Sequence, residues 1–421
     1  MRESHVKIVT NATSYFMHQY TKHYLHVNKP TDTLPPPPED KEYLLYIHIP
    51  FCTMFCPYCS FNKFTYTKEA AAHYFKHLRK ELLHVKDLGY RFNYLVLGGG
   101  TPLIDEDELI KTIELVRTLF NIQHVSCETD PNHIKPKTVL RLDGLVDRLS
   151  VGVQTFDNAL LQKLGRYEKF GSGEEVYDKI SAMLGILPIT SVDLIFNFPN
   201  QSNETLLKDL ELLQKLSPEQ SSFYPLMTSS MVKNSVKKTL GTFSLANEYT
   251  FFNLIKESLK ESYPSRHGWS FSKESESMID EYVIDNEEYV GVGSGSFSFL
   301  NNTLYHNEFA LDKYAECIAQ RKSAVVKERT FGLTSRMYYR LMVDLFNGKL
   351  SKKKFEAMFG VSVNDALKKE LMALKFAKAI KENKENILTT EYGDYLFLVL
   401  MKEFYMGMDR IRNEARKHLS L

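Results

Sequence analysis

Between residues 43 and 227 the chain alternates six times between a short apolar run and a longer stretch of helical spacing. The runs "YLLYIHI", "FNYLVLGGG", "HVSCETD", "VDRLSVGV", "ITSVDLIFNFP" and "QSSFYPLM" read as strands. Near-continuous apolar character marks strands covered on both faces. The segments "KEAAAHYFKHLRKELLHVKDLG", "DEDELIKTIELVRTLF", "PKTVLRLDG", "DNALLQKLGR" and "NETLLKDLELLQKL" read as the helices between them. Acidic residues crowd the first turn of the second helix, where the helix dipole favours them, and Asn203 is the expected N-cap of the last. Strands joined through helices run parallel, because the crossover returns the chain to its starting edge. The pattern predicts an α/β fold, a partial (β/α)6 barrel of the TIM type.

The flanks differ. Residues 1–40 form an N-terminal extension ending in "TLPPPPED", whose four prolines favour a stiff polyproline linker. The barrel is expected over 41–230 and a less regular barrel extension, the substrate region, over 231–330. Residues 331–421 read as a mainly helical C-terminal domain. Within it "KKELMALKFAKAIKENKENILTTEYG" ends in a short strand pair, which suits a winged-helix-like module. With 421 residues, about two to three domains are expected.

Lys+Arg and Asp+Glu nearly cancel, leaving a net charge of +1. That balance gives no general electrostatic reason to expect a nucleic-acid partner. No apolar run of membrane-spanning length occurs, and the N-terminus lacks the apolar core of a signal peptide, so a cytoplasmic location without a membrane segment is expected. In that compartment clustered cysteines are metal ligands or redox groups more often than disulfides.

Three of the five cysteines, Cys52, Cys56 and Cys59, lie in "IHIPFCTMFCPYCSFNKF" with C-x3-C-x2-C spacing, directly after the first strand. The C-terminal ends of parallel strands host the chemistry of such folds. Three thiolates hold three irons of a 4Fe–4S cluster and leave the fourth iron open. A structural zinc site needs a fourth ligand, and His48 lies within the strand before the loop. Cys127 and Cys317 are isolated and read as small buried hydrophobes.

On these residues the chain resembles the radical S-adenosylmethionine (SAM) superfamily, and more closely the oxygen-independent coproporphyrinogen III oxidase family with its haem chaperones and anaerobic haem-degrading relatives. The matching text is "LYIHIPFCTMFCPYCSFN", "LGGGTP", "ETDP", "RLSVGVQTF", "LGR", "VDLIFNFPNQ" and "GVGSGSFS". The resemblance implies a 4Fe–4S cluster on Cys52, Cys56 and Cys59, with SAM as cofactor. It places Tyr46, Tyr58, Gly99, Gly100, Thr101, Glu128, Gln154, Arg166, Asp193 and Phe297 around SAM or the substrate, with Arg166 and Gln154 as the catalytic candidates. Several have a plainer reading too. The glycines could form an ordinary turn, the tyrosines could pack in the core, and Arg166 could be a solvated helix end. Asp130 reads better as a turn stabiliser than as a ligand.

The implied activity is reductive cleavage of SAM, acting on a porphyrin-type tetrapyrrole, with an electron donor such as flavodoxin or ferredoxin. The chain departs from the oxidase pattern at Phe61, where oxidases carry a further cysteine, so conversion of coproporphyrinogen III is expected to be poor. Alternative functions are a haem-binding chaperone without oxidase activity and an anaerobic haem-degrading radical methyltransferase. Haem would then be a further ligand. In "RHGWSF", His267 has two readings: a candidate axial haem ligand, or an exposed loop histidine, the commoner outcome.

Overall fold

The computed structural model describes residues 3–274, 286–321 and 323–417. Six strands, β1 (Glu42–Ile49), β2 (Arg91–Gly99), β3 (His124–Thr129), β4 (Arg148–Gln154), β5 (Ile189–Phe196) and β6 (Gln220–Pro225), lie side by side in chain order, all parallel. This is the expected (β/α)6 arrangement. β1 is buried along nearly its whole length, as its continuous apolar run requires. Most crossover helices start on side chains that accept a backbone N–H, whereas Pro136–Leu140 starts on a proline without such a cap. Thr67 caps Lys68–Asp87 and Asp105 caps Glu106–Leu119. Ser172 and Glu175 form a reciprocal capping box on Gly173–Ser181. For Asn203–Leu216 the cap is Ser202, and Asn203 is the first helical residue. The hydroxyl accepts from Thr205 one residue earlier than expected.

The less regular region extends this sheet at both edges. β7 (Tyr289–Val292) pairs parallel with β1, and Phe297–Leu300, Thr303–Asn307, Val325–Thr330 and Lys29–Pro30 follow antiparallel. Beyond β6 lie Ser270–Ser272 and then Ser265–His267. Among the described residues the sheet has 13 strands and is open, ending at Lys29–Pro30 and Ser265–His267. These added strands are two to six residues long, too short to carry a readable periodicity.

The C-terminal region has a three-stranded antiparallel sheet, Lys349–Ser351 with Asn386–Thr389 and Ile380–Glu382, around three short helices. That matches the winged-helix-like expectation. The last helix, Glu391–Arg416, runs back to the barrel mouth, where the N-terminal helix Glu3–Tyr24 lies along it. Ser14 donates to Glu403, and Arg410 donates to Thr21. No described helix is long and apolar enough to cross a membrane.

Candidate active site

The cysteine loop leaves the C-terminal end of β1 and is pinned at its base. Phe51–Cys52 pairs with Phe64–Thr65, and Phe64 N–H donates to the Pro50 carbonyl at 2.6 Å. Between these points Cys59 N–H closes a turn on the Cys56 carbonyl, and Lys63 Nζ donates to the Cys59 carbonyl. Cys52 is buried, whereas Cys56 and Cys59 are half-buried. Burial, then the neighbouring Cys59, pushes the Cys52 thiol up to about 11, against the pull of Lys169. Three thiols in mutual electrostatic contact are deprotonated together only beside compensating positive charge, which a metal centre supplies. Among the described residues no three His, Cys, Asp or Glu side chains form a single-ion site.

The glycines after β2 hold this loop by backbone contact. Gly100 N–H donates to Ile49 and Thr101 N–H to Phe51, each at 2.8 Å. A Cβ on Gly100 would stand 2.5 Å from the Phe51 carbonyl oxygen. Gly99 has φ +121°, a left-handed value that side chains rarely adopt. Its N–H donates to Glu128 Oε2 at 3.2 Å, so β2, β3 and the cysteine loop meet here. The Thr101 hydroxyl donates to Asp130 and lies 3.8 Å from Cys52 Sγ. Asp130 also accepts from Asn132 N–H and His133, which is the expected turn role. Burial alone would raise its pKa, but His133 and Lys169 outweigh that and hold it at about 2.

β4 and β5 supply the opposite wall. Gln154 ends β4 at φ 77°, a strained value for a side chain of this size, and its Oε1 is buried without a partner. Arg166 is 4% exposed, which removes the solvated helix-end reading. Its Nη1 reaches Cys56 Sγ at 3.5 Å and the Tyr58 hydroxyl at 3.3 Å, Nη2 donates to the Gly152 carbonyl, and the plane lies over Phe170. Only Nε remains unpaired. The fork that could clamp a ligand carboxylate is largely engaged in tying the cysteine loop to β4. Asp193 accepts from Ser150 at 2.7 Å and from Ser191. The Tyr46 hydroxyl meets His48 Nδ1 at 3.0 Å, and His48 Nε2 meets the Asn62 carbonyl.

These residues line one cavity of about 1110 Å³. Its far side is aromatic, built from Phe16 and Tyr20 of the N-terminal helix, Tyr338 and Tyr339 of Leu333–Phe346, and Phe404 and Tyr405 of the last helix. Phe297 faces the same space, with the Arg412 guanidinium 5.7 Å from its ring and 5.1 Å from that of Phe61. Asp409 accepts from both Arg412 and Ser60, and Arg416 donates to the Phe61 carbonyl. Sequence reasoning did not find Asp409, Arg412 and Arg416. Their i, i+3, i+7 spacing on one helix face was the available signal.

Two sequence readings are corrected. His267 is neither exposed nor in the cavity: it sits half-buried in an edge strand against Asn347 Oδ1 at 3.2 Å. The glycine turn at 268 reverses direction, so Trp269, not His267, reaches the cavity, with its indole N–H buried and unpartnered. Cys127 is buried as expected, but Cys317 is only half-buried.

A family model described as "Radical SAM superfamily" matches residues 46–213. The chain is 28% identical over 349 residues to a Heme chaperone HemW of Lactococcus lactis, covering 78% of this chain and 90% of the relative. It is 27% identical over 412 residues to an oxygen-independent coproporphyrinogen III oxidase of Helicobacter pylori, covering 89% and 88%. In fold it is similar to the coproporphyrinogen III oxidase (HemN) of Escherichia coli, with TM-score 0.72 over 86% of this chain and 90% of that one, at 20% identity. The superfamily implies a 4Fe–4S cluster and SAM, and the thiol loop and the orphaned Gln154 and Arg166 atoms beside it fit such groups. Residues 46–213 thus carry a radical SAM domain.

Proposed function

We propose that this protein cleaves SAM reductively and acts on a porphyrin-type tetrapyrrole. The observation that carries the reading is the single cavity of about 1110 Å³ that joins the three cysteines to a wall of aromatic rings. Its volume slightly exceeds the roughly 300–1,000 Å³ of ordinary small-ligand sites, leaving room for a cofactor and a large flat partner together. Rings offer faces to stack on a macrocycle, and the Trp269 indole N–H offers a buried donor to a polar edge.

Cys52, Cys56 and Cys59 would hold the cluster, which when bound supplies the electron that breaks SAM's S–C5′ bond. Glu128, already oriented by Gly99 N–H, would accept from the ribose hydroxyls or ammonium of SAM. Gln154 Oε1 and Arg166 Nε would complete their hydrogen bonding on the same ligand. Asp193 is positioned by two serines on the floor of the cavity. Burial of these groups keeps water from the reacting atoms. An external one-electron donor such as flavodoxin or ferredoxin would supply the reducing equivalent.

Phe61 supports a ligand other than coproporphyrinogen III. Its ring lies beneath the Arg412 guanidinium and can neither ligate iron nor relay a proton. The test is anaerobic reconstitution followed by incubation with SAM, reductant and either coproporphyrinogen III or haem. About four irons per chain and 5′-deoxyadenosine are expected. Haem or a haem-derived product should be retained, and coproporphyrinogen III should be converted poorly. Efficient conversion to protoporphyrinogen IX would refute the ligand assignment.

A second reading, haem binding without turnover, follows the relatives named as heme chaperones. Within the described lining the imidazole present is His48, and both of its ring nitrogens are engaged. A bound haem would therefore not use His267 or a free histidine of this cavity. Haem retention with an intact cluster and no 5′-deoxyadenosine would select this reading.

A further inference from the structure

We propose that the last turns of the C-terminal helix set the reduction potential of the cluster through the fixed charges of Arg416, Arg412 and Asp409. The inference rests on the assignment of the cluster to the cysteine loop. Added negative charge is what reduction of a cluster creates, so neighbouring fixed charge, hydrogen bonding and solvent access tune its potential.

The helix approaches the loop at its third cysteine. Arg416 Nη1 donates to the Phe61 carbonyl at 3.2 Å, two residues beyond Cys59. Its Nε is buried with no partner, so no carboxylate neutralises it from that side. The Arg412 guanidinium is clamped between the Phe61 and Phe297 rings, 5.1 and 5.7 Å from their centroids. Its Nη1 is 2.6 Å from Asp409 Oδ1, and the Asp409 and Arg412 side chains are 5% and 13% exposed. Ser60, adjacent to Cys59, donates to the same carboxylate at 2.7 Å. Two arginines and one aspartate leave a net positive charge beside Cys59. Salt screens half-buried charges less than exposed ones, so part of this field reaches the loop. The fields of Arg412 and Arg416 also extend to His48, whose pKa burial lowers to about 4 against the opposing bond to the Asn62 carbonyl, with a smaller contribution from these charges.

The geometry makes opposite predictions for opposite charges. Replacing Arg416 by Gln removes positive charge, so acceptance of one electron from an external reductant becomes harder. Replacing Asp409 by Asn removes negative charge, keeps an acceptor for Ser60, and makes it easier. Arg416→Lys preserves the charge and leaves the potential near the wild-type value. A purely structural role would move Arg416→Gln and Asp409→Asn in the same direction.

The experiment is an anaerobic redox titration of the reconstituted full chain, with the reduced cluster quantified by electron paramagnetic resonance. At a fixed poise, Arg416→Gln should lower the ratio of reduced to oxidised cluster severalfold. A tenfold change corresponds to about 59 mV for one electron. Asp409→Asn should raise the ratio. Iron and sulfide content is measured for every variant. If Arg416→Gln loses iron, the signs of Arg412→Gln and Asp409→Asn decide the matter. Unchanged ratios, or shifts of one sign, in iron-replete variants overturn the proposal. A wild-type chain that takes up no cluster overturns the cluster assignment itself, and the control shows this before any variant is compared.

Discussion

Replacing Lys402 by Met should cost the fold more than any surface change of the same size. Lys402 Nζ lies 2.6 and 2.7 Å from the two oxygens of Glu248, and the two side chains are 3% and 0% exposed. The other bonds to Glu248 come from the Tyr395 hydroxyl at 3.1 Å and Asn197 Nδ2 at 3.2 Å. Removing the ammonium leaves a buried carboxylate with two neutral donors. Breaking such a pair on one side costs about 3–5 kcal/mol, whereas removing both charges is often close to neutral. The paired change Glu248→Gln with Lys402→Met should therefore lie within about 2 kcal/mol of wild type, since the new amide still accepts from Tyr395. Trp269, the only tryptophan, provides the signal: it is buried with ring contacts to Phe346 and to Tyr405 of the last helix. Urea unfolding followed by its fluorescence gives both free energies. A single change costing under about 1 kcal/mol, or a double variant no more stable than the single, would refute the reasoning.

Glu128→Ala should weaken SAM binding by about tenfold or more in calorimetry at unchanged iron content, the loss of about one charge-assisted hydrogen bond. Gly100→Ala forces a Cβ against the Phe51 backbone and should cost about 1–3 kcal/mol and lower the iron retained by the displaced cysteine loop. Asp209 is buried beneath Phe156 N–H and the Thr155 hydroxyl, and burial raises its pKa to about 7 despite those bonds. A carboxyl raised in the folded state contributes fully below its unfolded pKa and loses that contribution as pH rises through the folded value. Wild-type stability should therefore fall between about pH 4 and pH 7, by about 4 kcal/mol at most from this group, and Asp209→Asn should flatten the slope in urea titrations at several pH values.

The parts legible in the sequence were those whose physics is local. β1 to β6 showed as apolar runs, and the cysteine loop showed by spacing alone. Helix caps were legible to within a residue, as the shift from Asn203 to Ser202 illustrates, because either side chain can accept the free N–H groups. The edge strands were not legible, since a three-residue strand such as Ser270–Ser272 carries no period. Arg166 was found as a site residue, but its partners were not. No pattern around "LGR" discloses that its fork would be taken up by Cys56, Tyr58 and Gly152. His267 was read as a candidate ligand or an exposed loop residue within "RHGWSF", and the turn at Gly268 sends the neighbouring tryptophan to the cavity instead.

An open sheet cannot enclose a cavity by itself, so other contacts must hold its walls. On the β1 side, the buried Glu81 carboxylate accepts from Gly293 N–H, Asn307 and Tyr314, tying Lys68–Asp87 to the loop after β7. On the β5 side, Glu248 joins Asn197, which lies at the strand's end with φ 67°, to Lys402 of the last helix. At the mouth, Asp409 joins that helix to Ser60. Each tie is polar, at least partly buried and long-range, with partners separated by 349 residues in the last case. A buried charge left alone is costly, so such ties are satisfied in one arrangement and penalised in others. Apolar packing between the same helices would tolerate sliding, and a slide of one turn would carry Arg412 away from Phe61 and Phe297. The last helix therefore takes its register from Glu248 and Asp409, and through that register the aromatic wall and the cysteine loop are held in one geometry.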